Sequence, residues 1–289
     1  MRESFGEKNE YVLHDRAHTR AVEIKSNKKE GRRMKDFIGG DLYTEEAIGR
    51  LEEKVIVAEA SFDEQVARLP EDIRLKHEIS KKLADCLEGV ILNVKTWFGP
   101  TSNVYPTTRH DDFFNGVDLV AERMDGDIAN HHGFALDITY AGYNTILKKI
   151  TRIADNLKIG KLGRVDFFKS NDGRFKGQLN VIPLVVIGAD GNTMRGLVNM
   201  FAEGEDQKIE DHQVQYQIVD QVLMQCNFFI ELAKEIKDEK ISARIIAAYE
   251  MLKKDFELIK KLKHRLATNI DKGERDGFHD NLKTALENL

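Results

Sequence analysis

The chain has 289 residues, of which 41% are hydrophobic and 32% charged, and its formal net charge is −5. This composition is typical of a helix-rich globular protein and excludes a fibre or a wholly disordered chain. The acidic balance excludes a generally basic nucleic-acid coat, and the length predicts one large domain or two domains of about 150 residues.

Cysteine usage and apolar runs indicate the cellular compartment. Cys86 and Cys226 lie far apart and lack the paired spacing of a zinc site or a disulfide framework. Residues 1–40 contain no secretory apolar region, and no window approaches the ~18 apolar residues of a membrane span. We therefore expect a cytoplasmic protein.

The amino-terminal part of the chain divides into a polar tail and two helices. Residues 1–43 are charged and lack sustained periodicity, which predicts a flexible or loosely docked tail whose basic cluster at 25–35 can touch nucleic acid. Thr44 is a plausible helix cap, so a helix is expected from there to Pro70. A second helix is predicted from about Glu71 to Trp97 by apolar residues at three- and four-residue steps.

Short apolar runs bounded by Gly, Asn and Asp then replace the helical period, which indicates strands. The predicted strands are Val117–Glu122, Phe134–Tyr140, Arg164–Lys169 and Val181–Gly188. Helices are expected at about 143–157 and from Thr193 to about 202, and the first is long enough to connect two parallel strands. The predicted fold class is α/β, with a small mixed central sheet flanked by helices in a domain at 44–204.

The carboxyl-terminal region, 205–289, is predicted to form a helical hairpin. Apolar residues recur at steps of three and four on both sides of a junction near 238–242. The apolar stripes are wide, so the hairpin must pack against the preceding domain or against a second subunit, which would make a homodimer.

Two acidic residues fall within the apolar strands. Alternation places Asp118 and Asp137 among side chains that are too apolar for surface strands, so each carboxylate is expected either at a strand end or buried. A buried carboxylate without a partner costs several kcal/mol or becomes protonated, and two that face each other raise that cost unless a cation lies between them. A Mg²⁺ or Mn²⁺ ion would resolve the conflict and activate a water molecule for attack on a phosphate. The alternative is that these acids cap turns or pair with lysines such as Lys148 or Lys149.

The segment Glu71–Ala202 resembles the restriction-endonuclease-like, or PD-(D/E)XK, nuclease superfamily. The resemblance rests on 116-GVD-118 and 135-ALDIT-139, in the order helix, strand with Asp, strand with Asp, crossover helix and further strand. It implies that Asp118 and Asp137 bind the metal ion and that an acid of the first helix joins them, for which Glu88 is the best candidate.

The family's catalytic lysine position is occupied by Thr139, which cannot supply a positive charge. Members of the superfamily can recruit a lysine from the following helix, so the resemblance implies Lys148 or Lys149 as substitutes. Equally, the site can have lost cleavage and kept the fold for binding.

A basic segment follows the second acidic strand. Residues 142–176 contain nine Lys and Arg against three acids, which predicts either a solvated surface or a phosphate-facing one. The candidate nucleic-acid contacts are Arg152, Lys161, Arg164 and Lys169. Five phenylalanines can stack on bases if exposed, although most are expected in the core: Phe113, Phe114, Phe167, Phe168 and Phe175. The run 109-RHDD-112 can help to bind metal or phosphate, or simply form a turn.

The sequence therefore leaves three alternative functions. The first is a Mg²⁺- or Mn²⁺-dependent nuclease acting on DNA or RNA. The second is a catalytically degenerate protein of the same fold that binds nucleic acid or a protein partner. The third is a structural protein that dimerises through its carboxyl-terminal helices.

Overall fold

The computed structural model of the chain describes residues 5–39, 43–94, 96–99, 101–125, 128–139, 142–265 and 274–289. The helices are α1 (Phe5–Lys28), α2 (Glu45–Ala67), α3 (Glu71–Asn93), α4 (Tyr143–Lys158), α5 (Gly191–Glu203), α6 (Asp206–Glu210), α7 (Val214–Lys234), α8 (Glu239–Leu262) and α9 (Gly277–Glu287). The strands are β1 (Ser102–Pro106), β2 (Leu119–Asp125), β3 (Ile128–Thr139), β4 (Gly163–Lys169), β5 (Lys176–Ile182) and β6 (Leu184–Gly188).

The central sheet is small and mixed, as the sequence predicts. Its strand order is β1-β2-β3-β6, in which β1, β2 and β3 form an antiparallel meander and β6 lies parallel to β3. The chain passes from β3 to β6 through α4 and a separate β4–β5 hairpin. This long connection is the kind that a parallel strand pair requires.

Helices cover the sheet and complete the main apolar core, and a smaller, separate cluster forms around Phe37. α3 contacts β1 and β3, while α4 and α7 contact β6. The core extends from Ala17 of α1 to Leu286 of α9 and includes both cysteines, Cys86 and Cys226. The α/β class with a helix-flanked mixed sheet is therefore confirmed.

The carboxyl-terminal hairpin forms as predicted and packs against the preceding part of the chain. Asp238 caps α8 by accepting hydrogen bonds from the amides of Lys240 and Ile241, both at 3.0 Å. α7 lies along β6, so the hairpin has a packing surface within its own chain, and the homodimer stays a prediction. Among the described helices, none has the combined length and apolar content needed to cross a membrane.

The edge strand β6 is closed by glutamine side chains rather than by another strand. The amide group of Gln225 accepts from the Val186 N–H at 2.8 Å and donates to the Val186 carbonyl at 2.7 Å. Gln221 makes the same pair of bonds to Gly188, at 3.2 and 2.9 Å. The Tyr249 hydroxyl bonds both backbone groups at the start of the strand. These bonds satisfy buried backbone groups that an open edge would leave unpaired.

Most of the segment 1–43, expected to be a flexible or loosely docked tail, instead forms α1 and a 3₁₀ turn at Met34–Phe37. α1 lies against α3 and α5 and buries Ala17 and Ala21 completely. The contact depends on small residues, since a Cβ atom built on Gly89 of α3 would lie 2.5 Å from the Ala21 Cβ atom. Such a contact produces little apolar periodicity, so the pattern predicted no helix here.

Other differences concern where elements end and which elements were not predicted. The predicted strand at 181–188 is broken at Pro183, where a missing backbone donor separates β5 from β6. The predicted helix to Trp97 ends at Asn93. The strands β1 and most of β5, together with α9, have no counterpart in the prediction.

Candidate functional site

The two acids predicted on neighbouring strands lie opposite each other. Leu119 of β2 pairs with Leu136 of β3 in antiparallel register, so one further step places Asp118 opposite Asp137. The Asp118 N–H donates to the Leu136 carbonyl at 2.9 Å, and the Asp118 carboxylate accepts from the Ile138 N–H at 2.5 Å. Asp118 therefore directly precedes β2 and is held by the backbone of β3.

The Asp118 carboxyl group lies in an environment that opposes its ionisation. Some of the residue stays accessible to water, but protein atoms surround the carboxyl group. Burial, followed by the negative charges of Glu88 and Asp112, raises the pKa of Asp118 well above its usual value. Asp137 raises it further, and Lys149 opposes the shift. Among the described residues, no Lys or Arg forms an ion pair with Asp118.

Asp137 is buried and bound by two cations of α4. The Lys149 ammonium group pairs with its Oδ1 atom, and the Arg152 guanidinium donates to its Oδ2 atom at 2.7 Å. Lys148, the other candidate from this helix, is exposed. Of the two lysines, α4 therefore brings Lys149 to the acids. Thr139 ends β3, and its side chain lies outside the described part of the structure.

Glu88 is the third acid and extends from α3 as a buried side chain. It forms an ion pair with Lys25 of α1, which also contacts Asp85 at 3.2 Å. Burial raises the pKa of Glu88 to about 7, although the charge of Lys25 acts in the opposite direction. The pKa of Lys25 is raised, because attraction to Glu88 and Asp85 exceeds the effect of burial.

Lys25 and its neighbour Lys29 are the site residues that the sequence analysis missed. The pKa of Lys29 is lowered, mainly by burial and by the positive charge of Lys25. The negative charges of Asp112 and Glu88 oppose this shift. Both lysines belong to the basic cluster at 25–35, which the sequence places in a tail rather than beside the acids.

The run 109-RHDD-112 leads into the turn before β2, and two of its side chains bond this turn to β4. Asp111 is fully buried and accepts from the Asp166 N–H at 2.6 Å and the Thr108 hydroxyl at 2.8 Å. The His110 Nε2 atom lies 3.1 Å from the Asp166 carboxylate. The residues Asp111–Asn115 form a π-helical turn that ends at Gly116 with φ of 62°. Of the four residues, Asp112 is the acid that acts on Asp118.

The three acids are the candidate ligands for a divalent cation. Within the described residues, no group of three or more His, Cys, Asp or Glu side chains is placed to surround a metal ion. Asp118 nevertheless presents a carboxylate without an ion pair opposite Asp137, in a field of like charge that favours a cation. Mg²⁺ commonly takes only one or two protein carboxylates and keeps several waters, so a site built on Asp118 is chemically compatible with it, while Asp137 and Glu88 would have to leave their ion pairs to join.

A basic cleft lies beside the acids. It has a volume of about 570 Å³ and is bordered by α4, the β4–β5 hairpin and α8. Three of the predicted nucleic-acid residues line it, and α8 adds a fourth cation: Arg152, Lys161, Arg164 and Arg244. Lys169 does not line this cleft; its ammonium group would lie 3.6 Å from a Cβ atom on Gly31.

The five phenylalanines divide between surface and core. Phe113 and Phe114 are 42% and 47% exposed, with ring centroids 5.4 Å apart. Phe167 and Phe168 are buried, and Phe175 is half-buried against the core. Two of the five therefore remain available for a ligand.

No protein-family model matches the chain, and comparisons with curated proteins and with solved structures find no significant match. The residues and their geometry therefore carry the functional argument.

Proposed function

We propose that the protein is a divalent-metal-dependent nuclease that hydrolyses phosphodiester bonds in DNA or RNA. The observation that carries this proposal is the Asp118 carboxylate, which lies opposite Asp137 without an ion pair while α4 directs Lys149 to the same point. Paired acids next to a lysine, at adjacent strands of a mixed sheet, agree with the resemblance to the PD-(D/E)XK superfamily.

The residues that would hold Mg²⁺ or Mn²⁺ are Asp118 and Asp137, with Glu88 as an additional acid. When bound, the ion would polarise the phosphoryl group and lower the pKa of an attacking water. The Ile138 N–H donates to the Asp118 carboxylate and so restricts its orientation.

Lys149 takes the place that the family gives to the lysine of the second acidic strand. Its ammonium group is held by Asp137, where a phosphate oxygen and the attacking water would also lie. Arg152 is held by the same carboxylate and is 44% exposed, so it can donate to a phosphate oxygen without losing its orientation. Together these cations would position the substrate and stabilise the charge that develops on it.

The test is cleavage of labelled single- and double-stranded DNA and RNA in Mg²⁺, Mn²⁺ or EDTA. The Asp118→Asn/Asp137→Asn double variant should lose metal-dependent cutting. Asp155→Asn is the matched control, because Asp155 is an exposed acid of α4 paired with Lys158. Equal activity in the wild type, the double variant and the control would mean that the cutting comes from a contaminant, and the proposal would fail.

One observation favours a binding protein without catalysis as the second candidate. Both oxygens of Asp137 already pair with cations, and Glu88 pairs with Lys25. If these pairs are permanent, calorimetry should detect no binding of Mn²⁺, while nucleic acid should still bind in EDTA.

A further inference from the structure

We infer that the basic cleft binds a single-stranded segment of nucleic acid, with phosphates on its cations and an unpaired base on Phe114. This inference rests on the proposed function, because it names the substrate form that the acidic site would receive. Binding can nevertheless be measured without cleavage.

The lining of the cleft has the charge that a polyanion requires. Its charged lining residues among those described are the four cations Arg152, Lys161, Arg164 and Arg244, with no acid among them. Two exposed asparagines, Asn156 and Asn180, add neutral donors and acceptors that can reach base edges, whereas the Asn115 amide already donates to Asp111 and Asp166. A groove of cations that follows the backbone is the usual electrostatic basis of single-strand binding.

Most of the cations are held in place before any ligand binds. Arg164 donates to Asp166 at 2.6 Å, and Arg244 donates to the Gly160 carbonyl at 2.6 Å. Arg152 is held by Asp137, as described above. Lys161 is exposed, and its side chain makes no bond to another described residue. Ligand binding therefore orders few side chains, which reduces its entropic cost.

An exposed aromatic residue at the cleft distinguishes single strands from duplexes. Phe114 lines the cleft and is 47% exposed. A π-helical turn holds it, and its ring lies 5.1 Å from that of His110. An aromatic face can stack on a base only where the base is unstacked from its neighbours, as in single strands.

Arg152 connects the cleft to the acids. The same guanidinium group lines the cleft and donates to Asp137 at 2.7 Å. A phosphate bound by Arg152 would therefore lie beside Asp137, where cleavage is proposed. The cleft thus positions a single strand for the site rather than forming a separate surface.

The test is fluorescence anisotropy of short labelled DNA and RNA single strands and of the matching duplexes, in EDTA, with the Asp118→Asn variant, which keeps the Asp137 carboxylate that holds Arg152. Phe114→Ala should weaken single-strand binding by about tenfold, and Phe114→Tyr should restore it. Phe113→Ala is the matched control, because Phe113 is almost equally exposed but does not line the cleft.

Lys161→Ala tests the phosphate contacts independently. It should reduce the slope of log affinity against log salt by about 0.7, as expected for one lost phosphate contact with a single strand. Lys158→Ala should leave the slope unchanged, because Lys158 lies on α4 outside the cleft and pairs with Asp155.

The outcomes separate this inference from the proposed function. Equal affinity for single strands and duplexes, or equal effects of the Phe114→Ala and Phe113→Ala variants, would overturn the inference even if the protein cuts duplexes. Single-strand binding that depends on Phe114, in a protein that never cuts, would support the inference and refute the nuclease.

Discussion

Lys149 is the residue on which the catalytic proposal depends most directly. The family's lysine position holds Thr139, yet α4 returns an ammonium group to Asp137 from twelve residues further along the chain. A lysine that acts from the helix can only replace one on the strand if its charge reaches the same carboxylate. The adjacent Lys148 makes this testable, because it has the same charge and lies on the exposed side of the helix.

Lys149→Met should lower kcat by about 10²-fold or more, because it removes the ammonium group next to the reacting phosphate. Arg152 still pairs with Asp137 in this variant, so the fold should remain and the circular dichroism spectrum should not change. Lys148→Met should keep kcat within about twofold of the wild type. If both variants lose activity equally, general surface charge rather than the position of Lys149 is responsible.

At the residue scale, the sequence predicted the acids better than the cations. Strand alternation predicted Asp118 and Asp137 on neighbouring apolar strands, and the resemblance to the nuclease superfamily implied Glu88. The structure brings these three acids into one electrostatic cluster. Lys25 was missed because its contact with Glu88 depends on how α1 packs, which no local pattern records.

At the scale of elements, the packing of α1 on α3 depends on small residues. Ala21 and Gly89 let the axes of α1 and α3 approach closely, and this approach brings Lys25 to the acidic site. A Cβ atom at position 89 would contact the backbone of α1 as well as the Ala21 side chain, because it would lie 2.7 Å from the Ala21 Cα atom. The docking of α1 should therefore be sensitive to a single methyl group.

Gly89→Ala should lower the free energy of unfolding by about 1–3 kcal/mol, because the added methyl group overpacks the contact between α1 and α3. Gly196→Ala is the control, since a Cβ atom there meets nothing within 4 Å and alanine favours helix by roughly 1 kcal/mol. Urea denaturation of both variants gives the comparison. A neutral effect at position 89 would show that α1 is only loosely attached.

Periodicity predicted the elements that bury a broad apolar face and failed for those that do not. The helices α3, α4, α7 and α8 have such faces and were expected close to where they lie. β5 has an irregular burial pattern, with much of it half-buried or exposed, so alternation gives little signal there. The pattern also did not indicate that Gln221 and Gln225 bond the free edge of β6. These contacts require two glutamines one helical turn apart to lie against a strand edge, which depends on tertiary packing.

At the scale of the whole molecule, the acidic site reduces the stability of the metal-free fold. Folding brings the Asp118 carboxyl group out of water and towards Glu88, Asp112 and Asp137, and the charge of Lys149 compensates only in part. Because the pKa of Asp118 is higher in the folded state than in the unfolded chain, the folded state binds the proton more tightly. Its stabilising contribution is therefore present at low pH and is lost as pH rises above the unfolded value, near 3.8.

Asp118→Asn should therefore stabilise the metal-free protein while it removes the proposed activity. At pH 8 in EDTA, we expect the free energy of unfolding to rise, because a neutral amide avoids the cost of ionising this buried group and its oxygen can still accept a hydrogen bond from the Ile138 N–H. The difference should shrink as pH falls below 4, where the unfolded carboxyl group also becomes protonated. Mg²⁺ should raise the melting temperature of the wild type but not of the variant, since only a group that binds the folded state adds stability. A variant that is less stable than the wild type in EDTA, and that responds equally to Mg²⁺, would mean that Asp118 stabilises the fold and is not a metal ligand.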